Sequence, residues 1–245
     1  MNIVSYREYT KAIDNLIRQV SVFQDKIDAI VPCMRSGMLP AFRIAERLNL
    51  PIMLDHKLYA GNRVKHKGRD EGVKTILLVE DSVNTGTGIL KEFTKYGNYN
   101  IITCAVIVNP LNSISDKITI KSLQIPTPRM FEWNMFHCPN SKHIMFDMDG
   151  VLCFDPTVFD DDGEGYKLDI QTVNPLIIPS YPIHSIVTNR LEKWRGVSED
   201  WLSKHNVKYG SLNMQQFSTA KERRSKTDPG KYKAKHYNES DAVLF

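Results

Sequence analysis

The sequence predicts an α/β protein with two domains, each built on a parallel sheet. Short apolar runs of strand length alternate with segments whose apolar residues recur at helical spacing. Strands that alternate with helices are joined by crossover connections and therefore run parallel. The alternation stops over residues 109–142 and then restarts, which predicts a boundary near 138–142 and domains of residues 1–140 and 141–245.

The elements of the first domain follow from its apolar spacing. Residues 6–22 place their apolar positions on one face of a helix. Further helices are predicted over residues 40–48 and 86–96, and strands over residues 27–32, 52–54, 75–80 and 101–108. Residues 57–73 contain three Gly and mostly basic charge, which predicts a mobile loop.

The second domain has fewer clear elements. Strands are predicted over residues 143–146, 183–187 and 242–245, and a helix over residues 200–205. Residues 153–182 are too few for a large cap domain, so the site is expected to be open. A solvated acidic loop is expected at Asp160, Asp161, Asp162 and Glu164, and a solvated basic loop at residues 221–235.

Composition limits the classes of partner. The net charge is +4 with both signs mixed along the chain, so a nucleic-acid partner is not expected. The four cysteines are far apart, as suits reduced thiols in the cytoplasm rather than disulfides or zinc. The amino terminus lacks a signal-peptide layout, and no apolar run approaches the roughly 18 residues that span a bilayer. A cytoplasmic protein without membrane contact is expected, and a homodimer is left open.

The segment VEDSVNTGTG, residues 79–88, ends the apolar run of a predicted strand. Ligands of open parallel sheets bind beyond the carboxyl ends of the strands. Glu80 and Asp81 can accept hydrogen bonds from adjacent hydroxyls, as on a ribose. Residues 84–88 supply N–H and hydroxyl groups at a helix amino terminus, which suits a phosphate. A strand–turn–helix with a Thr cap is the alternative, but it leaves the two carboxylates unexplained.

The longer segment ILLVEDSVNTGTG resembles the signature of the type I phosphoribosyltransferases. That signature is an apolar run, two acidic residues, two variable residues, a small polar residue, Thr and Gly. The resemblance covers about residues 25–110 and implies the type I phosphoribosyltransferase fold and binding of phosphoribosyl pyrophosphate (PRPP). It implies that Glu80 and Asp81 hold the ribose hydroxyls and ligate Mg²⁺. The residues that it implies around the 5-phosphate are Val83, Asn84, Thr85, Gly86 and Thr87.

Two other segments lie where this family needs them. The segment MRSGM resembles the turn that contacts pyrophosphate, which implies contacts from Arg35, Ser36 and Gly37. The basic loop resembles the flap that closes over the site, where the residues expected to screen the leaving group are Arg63, Lys65 and Lys67. Cys33, beside the turn, is expected to be a small buried residue and no nucleophile.

The acceptor is not identified by the sequence. Purine-salvage members carry an Asp where this chain has Asn84, and an amide does not titrate and so cannot act as a base. This difference disfavours hypoxanthine and guanine and leaves an orotate-like acceptor, or one deprotonated elsewhere. The candidate hood is residues 129–137, in which Phe131 and Trp133 would stack on a ring. Its edge would be contacted by Arg129, Glu132 and Asn134. Packing of the aromatic residues between the domains is the alternative.

A second carboxylate motif lies in HIMFDMDGVL, residues 143–152, where an apolar strand ends at Asp147 and Asp149. One carboxylate of such a pair can attack phosphorus while the other protonates the leaving oxygen. The motif resembles the haloacid dehalogenase-like (HAD) signature Asp-x-Asp-Gly-Val. By this resemblance Asp147 is the nucleophile, Asp149 the general acid/base, and both belong to the Mg²⁺ site. A turn at Gly150 is expected.

The HAD resemblance continues downstream. In IVTNR, Thr188 ends a strand where a hydroxyl would bind the phosphate. A lysine should follow, and Lys233 is chosen from Lys231, Lys233 and Lys235. The acidic pair that follows the family's last strand is missing after AVLF, residues 242–245, so this Rossmannoid domain is predicted to be capless and short at its C-terminus. Mg²⁺ would be held more weakly without that pair.

The expected function combines the two sites. A 5-phosphoribosyl group would pass from PRPP to a nitrogenous base or related acceptor with Mg²⁺, and the HAD-like domain would hydrolyse a phosphate ester of the product. One alternative is a PRPP- or nucleotide-binding regulator without transferase activity. Another is a phosphatase whose first domain only presents the substrate.

Overall fold

The computed structural model describes residues 1–54, 72–158 and 161–245. The chain is a mixed α/β protein that divides into two compact units, Met1–Glu132 and Trp133–Phe245. Every pairing between named strands is parallel, which confirms the predicted class of sheet. Among the described residues, none of the helices has the length and apolar character needed to cross a membrane.

The first helix of the first unit has a capping box at its amino terminus. Ser5 Oγ accepts from the Glu8 N–H at 3.2 Å, and the Glu8 carboxylate accepts from the Ser5 N–H at 2.9 Å. The helices of this unit are α1 (Tyr6–Ser21), α2 (Met38–Leu48) and α3 (Thr87–Lys95). Its strands are β1 (Asn2–Val4), β2 (Ala29–Pro32), β3 (Thr75–Val83), β4 (Asn100–Val108), β5 (Ile120–Gln124) and β6 (Arg129–Phe131).

The main sheet of this unit has the order β2-β3-β4-β5, and β1 pairs separately with β6. Ile52 adds one parallel bridge to Ile30 of β2, in place of the strand predicted over residues 52–54. The chain therefore passes to one side of β2 at Ile52 and returns on the other side as β3. Strand order reverses between β2 and β3, and ligands of open parallel sheets bind at such a reversal.

The two faces of β3 are covered by different helices. Leu77 and Val79 pack in a core with residues of α1 and α2, whereas Ile76 and Leu78 pack in a core with residues of α3. All four side chains are fully buried. Buried residues on both faces explain why the sequence of β3 is an uninterrupted apolar run rather than an alternating one.

The second unit contains a three-stranded sheet, ordered β7-β8-β9. Its strands are β7 (Met145–Phe146), β8 (Ile183–Leu191) and β9 (Tyr209–Gln215), and its helices are α4 (Glu164–Thr172), α5 (Arg195–Lys204), α6 (Ala220–Lys226) and α7 (Pro229–Asn238). The predicted strand at residues 242–245 is reduced to a single bridge between Leu244 and Ile144. Its backbone still pairs beside β7, because the Met145 N–H donates to Leu244 O at 3.0 Å.

Asp160 of the predicted acidic loop lies outside the described residues, and the described part of that loop is not simply solvated. Asp161 forms an ion pair with Arg223 at 2.7 Å, and the Asp161 side chain is only 15% exposed. Asp162 accepts from the Lys193 ammonium at 2.7 Å and from the Ala220 N–H at 2.9 Å, at the first turn of α6. These carboxylates therefore hold the segment that precedes α4 against α6.

The predicted basic loop is also wrong, because residues 221–226 lie in α6 and residues 229–235 lie in α7. The Thr219 side chain accepts from the Glu222 N–H at 3.1 Å and caps α6. The Asp228 side chain accepts from the Lys231 N–H at 2.9 Å and caps α7, with Pro229 in its first turn.

Candidate active sites

The first candidate site lies at the reversal of strand order, beyond the carboxyl ends of β2 and β3. β3 extends three residues further than predicted, since Glu80 and Ser82 still pair with β4. Glu80 continues the row of side chains that faces α3, and Asp81 continues the opposite row. This alternation explains why Glu80 lines the cavity beside α3, whereas Asp81 is not among its lining residues.

Glu80 and Asp81 form an acid pair. The Asp81 N–H donates to Glu80 Oε1 at 3.0 Å, and Glu80 is also in hydrogen-bond contact with the Asp81 carboxyl group and the Cys33 thiol. Burial, reinforced by the hydrogen bond and charge of Asp81, raises the pKa of Glu80 well above its ordinary value. The acid pair therefore retains a proton at neutral pH, and it can both donate to and accept from hydroxyl groups.

A loop of residues 83–87, called the phosphate loop after its predicted ligand, joins the acid pair to α3. Gly86 has φ of 80° and stands immediately before the helix, and a Cβ there would lie 2.3 Å from the Ile114 side chain, so only Gly fits. Thr85 and Thr87 are exposed, with 3.0 Å between their hydroxyl oxygens. The loop, Glu80 and the first turn of α3 line a cavity of about 170 Å³. Val83 is buried in the core, so it can offer only its backbone to a ligand.

The turn after β2 lies against the carboxyl half of β3. The Cys33 N–H donates to Val79 O at 2.8 Å, and the Gly37 N–H donates to Cys33 O at 2.9 Å. Arg35 and Ser36 are exposed and Gly37 is buried. Cys33 is buried as predicted, and burial, with the charge of Glu80, raises the pKa of its thiol, which keeps it protonated. Through Cys33 the turn is connected to the acid pair.

A buried arginine, which the sequence placed at the acceptor, instead fixes the end of β3. Arg129 Nη2 donates to Ser82 Oγ at 2.8 Å and to Val83 O at 3.1 Å, and Arg129 Nη1 donates to Ile125 O at 2.7 Å. Burial lowers the pKa of Arg129, and the charge of Asp81 opposes this effect. The guanidinium therefore connects β6 to the strand that carries the acid pair.

The residues predicted for the flap and for the acceptor pocket fall in different parts of the chain. Arg63, Lys65 and Lys67 lie outside the described residues. Phe131 ends β6 of the first unit and does not line the cavity, whereas Trp133 and Asn134 belong to the second unit. Trp133 and Asn134 lie in a 3₁₀ helix, Glu132–His137. Glu132 accepts from the Tyr6 N–H at 2.6 Å.

The second candidate site lies where β7 ends, between β8 on one side and Leu244 on the other. Asp147 Oδ1 accepts from the Met148 N–H at 2.8 Å, and Asp147 Oδ2 forms a short ion pair with Lys233 of α7. The side chains of Asp147 and Lys233 are each 19% exposed. Burial raises the pKa of Asp147, and the contact with Lys233 opposes this effect. Lys233 is thus the lysine of α7 that meets the first aspartate of the motif.

Asp149 is held by an arginine to which the sequence assigned no role. Arg190 Nε lies 3.1 Å from both carboxylate oxygens of Asp149, and Arg190 Nη2 lies 2.5 Å from Oδ1. The Arg190 side chain is fully buried, and its Nη1 donates to Ser198 Oγ at 3.1 Å. Thr188, two residues earlier, is buried and accepts from the Arg190 N–H at 3.3 Å. Gly150 has φ of 74°, which fits the expected turn.

The number and the contacts of the carboxylates determine whether Asp147 and Asp149 can hold Mg²⁺. The parts of the chain that the structure describes contain no group of three or more acidic, Cys or His residues placed to hold a metal. Asp149 already accepts from Arg190 with both oxygens, and Asp147 accepts from Lys233 and Met148. Mg²⁺ prefers several hard oxygen ligands in near-octahedral geometry. Asp147 and Asp149 as arranged do not fit a preformed magnesium site.

Solved phosphoribosyltransferases resemble the chain over about half of its length. A purine phosphoribosyltransferase from Pyrococcus horikoshii matches with a TM-score of 0.41 and 19% identity, over 54% of this chain and 94% of that chain. A xanthine-guanine-hypoxanthine phosphoribosyltransferase from Helicobacter pylori matches with a TM-score of 0.41 and 20% identity, over 54% and 92% of the two chains. An orotate phosphoribosyltransferase from Aeropyrum pernix gives a TM-score of 0.37 and 17% identity, over 48% and 71%.

No protein family model matches the chain, and no curated protein matches its sequence. Structural similarity at these identities and TM-scores does not identify an activity. An activity has to be inferred from the chemistry of the residues in the two sites.

Proposed function

We propose that the first unit binds PRPP and transfers its 5-phosphoribosyl group to a nitrogenous base or related acceptor, with release of pyrophosphate. The observation that carries the proposal is the cavity of about 170 Å³ at the reversal of strand order, which Glu80, the phosphate loop and the first turn of α3 line together. Such a cavity can hold sugar hydroxyls at one end and a phosphate at a helix amino terminus at the other.

Each part of the site has a proposed task. The acid pair holds the ribose hydroxyls, and the N–H and hydroxyl groups of residues 83–87 hold the 5-phosphate. Arg35, Ser36 and Gly37 contact the pyrophosphate, and the basic residues of the flap, Arg63, Lys65 and Lys67, screen its charge. The bond from the anomeric carbon to pyrophosphate breaks, the bond to the acceptor nitrogen forms, and positive charge on the ribose is transient. Positioning and electrostatics supply most of the rate.

Mg²⁺ is proposed as the cofactor of this transfer. Glu80 and Asp81 are two carboxylates, fewer ligands than Mg²⁺ takes, so the metal would be shared with oxygens of PRPP and water. Bound there, it would neutralise charge on the pyrophosphate. The acceptor is proposed to contact Phe131, Trp133 and Asn134. Proton removal from the acceptor is assigned to a group other than Asn84, because the amide does not titrate.

The transfer is tested by pyrophosphate release from PRPP and Mg²⁺ with a panel of bases and amines. At least one acceptor is expected to give release. Glu80→Gln and Asp81→Asn should each lower kcat/KM by about 10- to 100-fold, since each removes a carboxyl group of the acid pair that holds the ribose hydroxyls. Asp116→Asn, the same change at an exposed carboxylate of this unit, should have no effect.

Two other results would contradict the transfer. PRPP binding without release for any acceptor would favour a PRPP-responsive regulator. Unchanged release in both acid-pair variants would place the reaction elsewhere.

A second activity, phosphate-ester hydrolysis by the second unit, is favoured by the contact between Asp147 and Lys233 at the end of β7. In this proposal Asp147 Oδ attacks phosphorus, and the ester oxygen leaves with a proton from Asp149, which has to take up that proton and separate from Arg190 beforehand. Water then hydrolyses the aspartyl phosphate. Thr188 and Lys233 would bind the phosphate oxygens. A nucleotide made by the first unit would in this way become a nucleoside.

Hydrolysis is tested by phosphate release from nucleoside monophosphates. Asp147→Asn is expected to lower the rate by about 10³-fold or more, because a carboxamide cannot form the aspartyl phosphate. Asp200→Asn, at an exposed position of α5, is the matched control. Equal rates in the two variants would exclude Asp147 as the nucleophile. If both acid-pair variants of the first unit leave hydrolysis unchanged and no acceptor supports transfer, the second unit alone is the enzyme.

A further inference from the structure

Asn109, the residue after β4, makes a set of contacts beneath the phosphate loop. It is 6% exposed. Its Oδ1 accepts from the Leu111 N–H at 3.1 Å, and its Nδ2 donates to Asn84 Oδ1 at 3.0 Å and to Thr127 Oγ1 at 3.3 Å. Its backbone N–H donates to Val83 O at 2.9 Å. Asn109 thus contacts both residues that begin the loop, Val83 through its backbone N–H and Asn84 through its side-chain amide.

These contacts determine which way each amide is turned. A backbone N–H can only donate, so the oxygen of Asn109 must face Leu111 and its NH₂ group must face Asn84. Asn84 must therefore accept this hydrogen bond through its Oδ1, and its own NH₂ group is turned away from Asn109. Within the residues that the structure describes, no hydrogen bond from Asn84 Nδ2 is found. Asn84 is exposed and is one of the residues that line the cavity, so its NH₂ group is accessible to a ligand.

We propose that Asn109 is a positioning residue: it fixes the phosphate loop and orients Asn84 so that position 84 donates a hydrogen bond to an anionic or lone-pair oxygen of the ligand. The proposal rests on PRPP binding at this site and adds a specificity rule to it. An N–H group of a ligand finds no acceptor at position 84, whereas a phosphate or carboxylate oxygen finds a donor. The oxygen can belong to the 5-phosphate of PRPP or to an acidic acceptor.

The chain offers changes that alter single atoms. Asn84→Asp keeps the oxygen that Asn109 contacts and replaces the outward NH₂ group by an oxygen. Asn109→Asp keeps the acceptor for Leu111 and removes the donor to Asn84. Asn112→Asp is the matched control, because the Asn112 Oδ1 accepts from the Ile114 N–H at 3.0 Å in the same kind of turn, three residues further on.

The first measurement is amide hydrogen exchange over residues 82–88 in the full chain without ligand. Asn109→Asp is expected to raise exchange there by about 3- to 10-fold, the equivalent of one lost hydrogen bond, and Asn112→Asp to leave it unchanged. Asn84→Leu breaks the same contact from an exposed position without burying a charge, and should raise exchange equally. Unchanged exchange in both Asn109→Asp and Asn84→Leu would overturn the positioning role.

The second measurement is PRPP affinity by calorimetry with Mg²⁺, together with KM for the acceptor. If the oxygen belongs to the 5-phosphate, Asn84→Asp should weaken PRPP binding by about 10-fold or more, because a carboxylate repels it. If it belongs to the acceptor, PRPP affinity is kept and the acceptor KM rises instead. Either outcome supports the donor role, and unchanged values for both ligands would overturn it.

A double variant separates positioning from general damage. If Asn109 acts through Asn84, then Asn84→Leu with Asn109→Asp should bind PRPP no more weakly than Asn84→Leu alone. Weaker PRPP binding in the double variant than in Asn84→Leu would show that Asn109 does not act through Asn84. A wild-type chain that does not bind PRPP would refute the proposed function, while the exchange measurement would still decide whether Asn109 fixes the loop.

Discussion

Replacing Arg190 with Met is expected to lower the free energy of unfolding of the second unit by about 3–5 kcal/mol, the range for removing one partner of a buried ion pair. Arg190 is fully buried and contacts both carboxylate oxygens of Asp149, whose side chain is 19% exposed. Burial alone would lower the pKa of Arg190, but its hydrogen bond with Asp149 raises it above the ordinary value. Without Arg190, the Asp149 charge and the Ser198 hydroxyl lose their partner.

The measurement is urea unfolding followed by tryptophan fluorescence. The three tryptophans, Trp133, Trp194 and Trp201, all belong to the second unit, so this signal reports on it alone. Arg195→Met is the control, because Arg195 is 34% exposed and its ion pairs with Glu192 and Glu199 are worth at most about 1 kcal/mol.

A double variant tests the cause of the loss. Combining Arg190→Met with Asp149→Asn removes both charges, and it should cost less than the sum of the two single changes. Additive losses, or a change below about 1 kcal/mol in Arg190→Met, would mean that the pair does not hold the unit together.

Gly37→Ala is expected to destabilise the first unit by about 3 kcal/mol and to weaken PRPP binding. A Cβ on Gly37 would lie 2.4 Å from Val79 O and 2.7 Å from Cys33 O, and these are backbone atoms that cannot rotate away. The backbone of Gly37 has an ordinary φ of −66°, so the cost is steric rather than conformational. Relief requires the turn to move away from β3, and the contact between Cys33 and Glu80 moves with it.

This loss is measured by urea unfolding followed by far-ultraviolet circular dichroism, since the first unit has no tryptophan. The fluorescence transition of the second unit should stay in place. Gly97→Ala is the control, because a Cβ there meets only Thr94 O and Phe93 O at 3.6 and 3.8 Å. Full stability in Gly37→Ala would show that the turn does not pack as closely on β3 as these distances require.

The central strands and the carboxylates at their ends could be predicted from sequence. β3 and β4 are buried on both faces, so each appears as a continuous apolar run, and the position of Glu80 follows from the end of that run. The capping box of α1 is also local, because Ser5 and Glu8 are three residues apart. Signals of this kind need no knowledge of distant partners.

The missed elements lack such runs. β9 contains Gly, Ser, Asn and Gln. β1 and β6 have three residues each, and they pair with each other although they are far apart in the sequence. For α6 and α7 a signal was present, since Thr219 with Glu222, and Asp228 with Pro229, are helix-start patterns. The high charge of residues 221–235 concealed them.

The supporting residues of both sites depend on long-range contacts. Arg190 meets Asp149 across 41 residues and Asn109 meets Asn84 across 25. No spacing rule connects such pairs, so the sequence indicated the carboxylates at the strand ends but not the side chains that contact them. The same reason explains why Arg129 was assigned to an acceptor pocket rather than to the end of β3.

The bridge at Leu244 has a consequence for self-association. An uncovered sheet edge is a template on which a strand of another molecule can add, and proteins block such edges to stay dispersed. Here the Val243 N–H donates to His143 O at 2.8 Å, and the Met145 N–H donates to Leu244 O at 3.0 Å. Two outward backbone groups at β7, the His143 carbonyl and the Met145 N–H, are thereby occupied from within the same chain, which protects that border from fibrous or swapped assemblies.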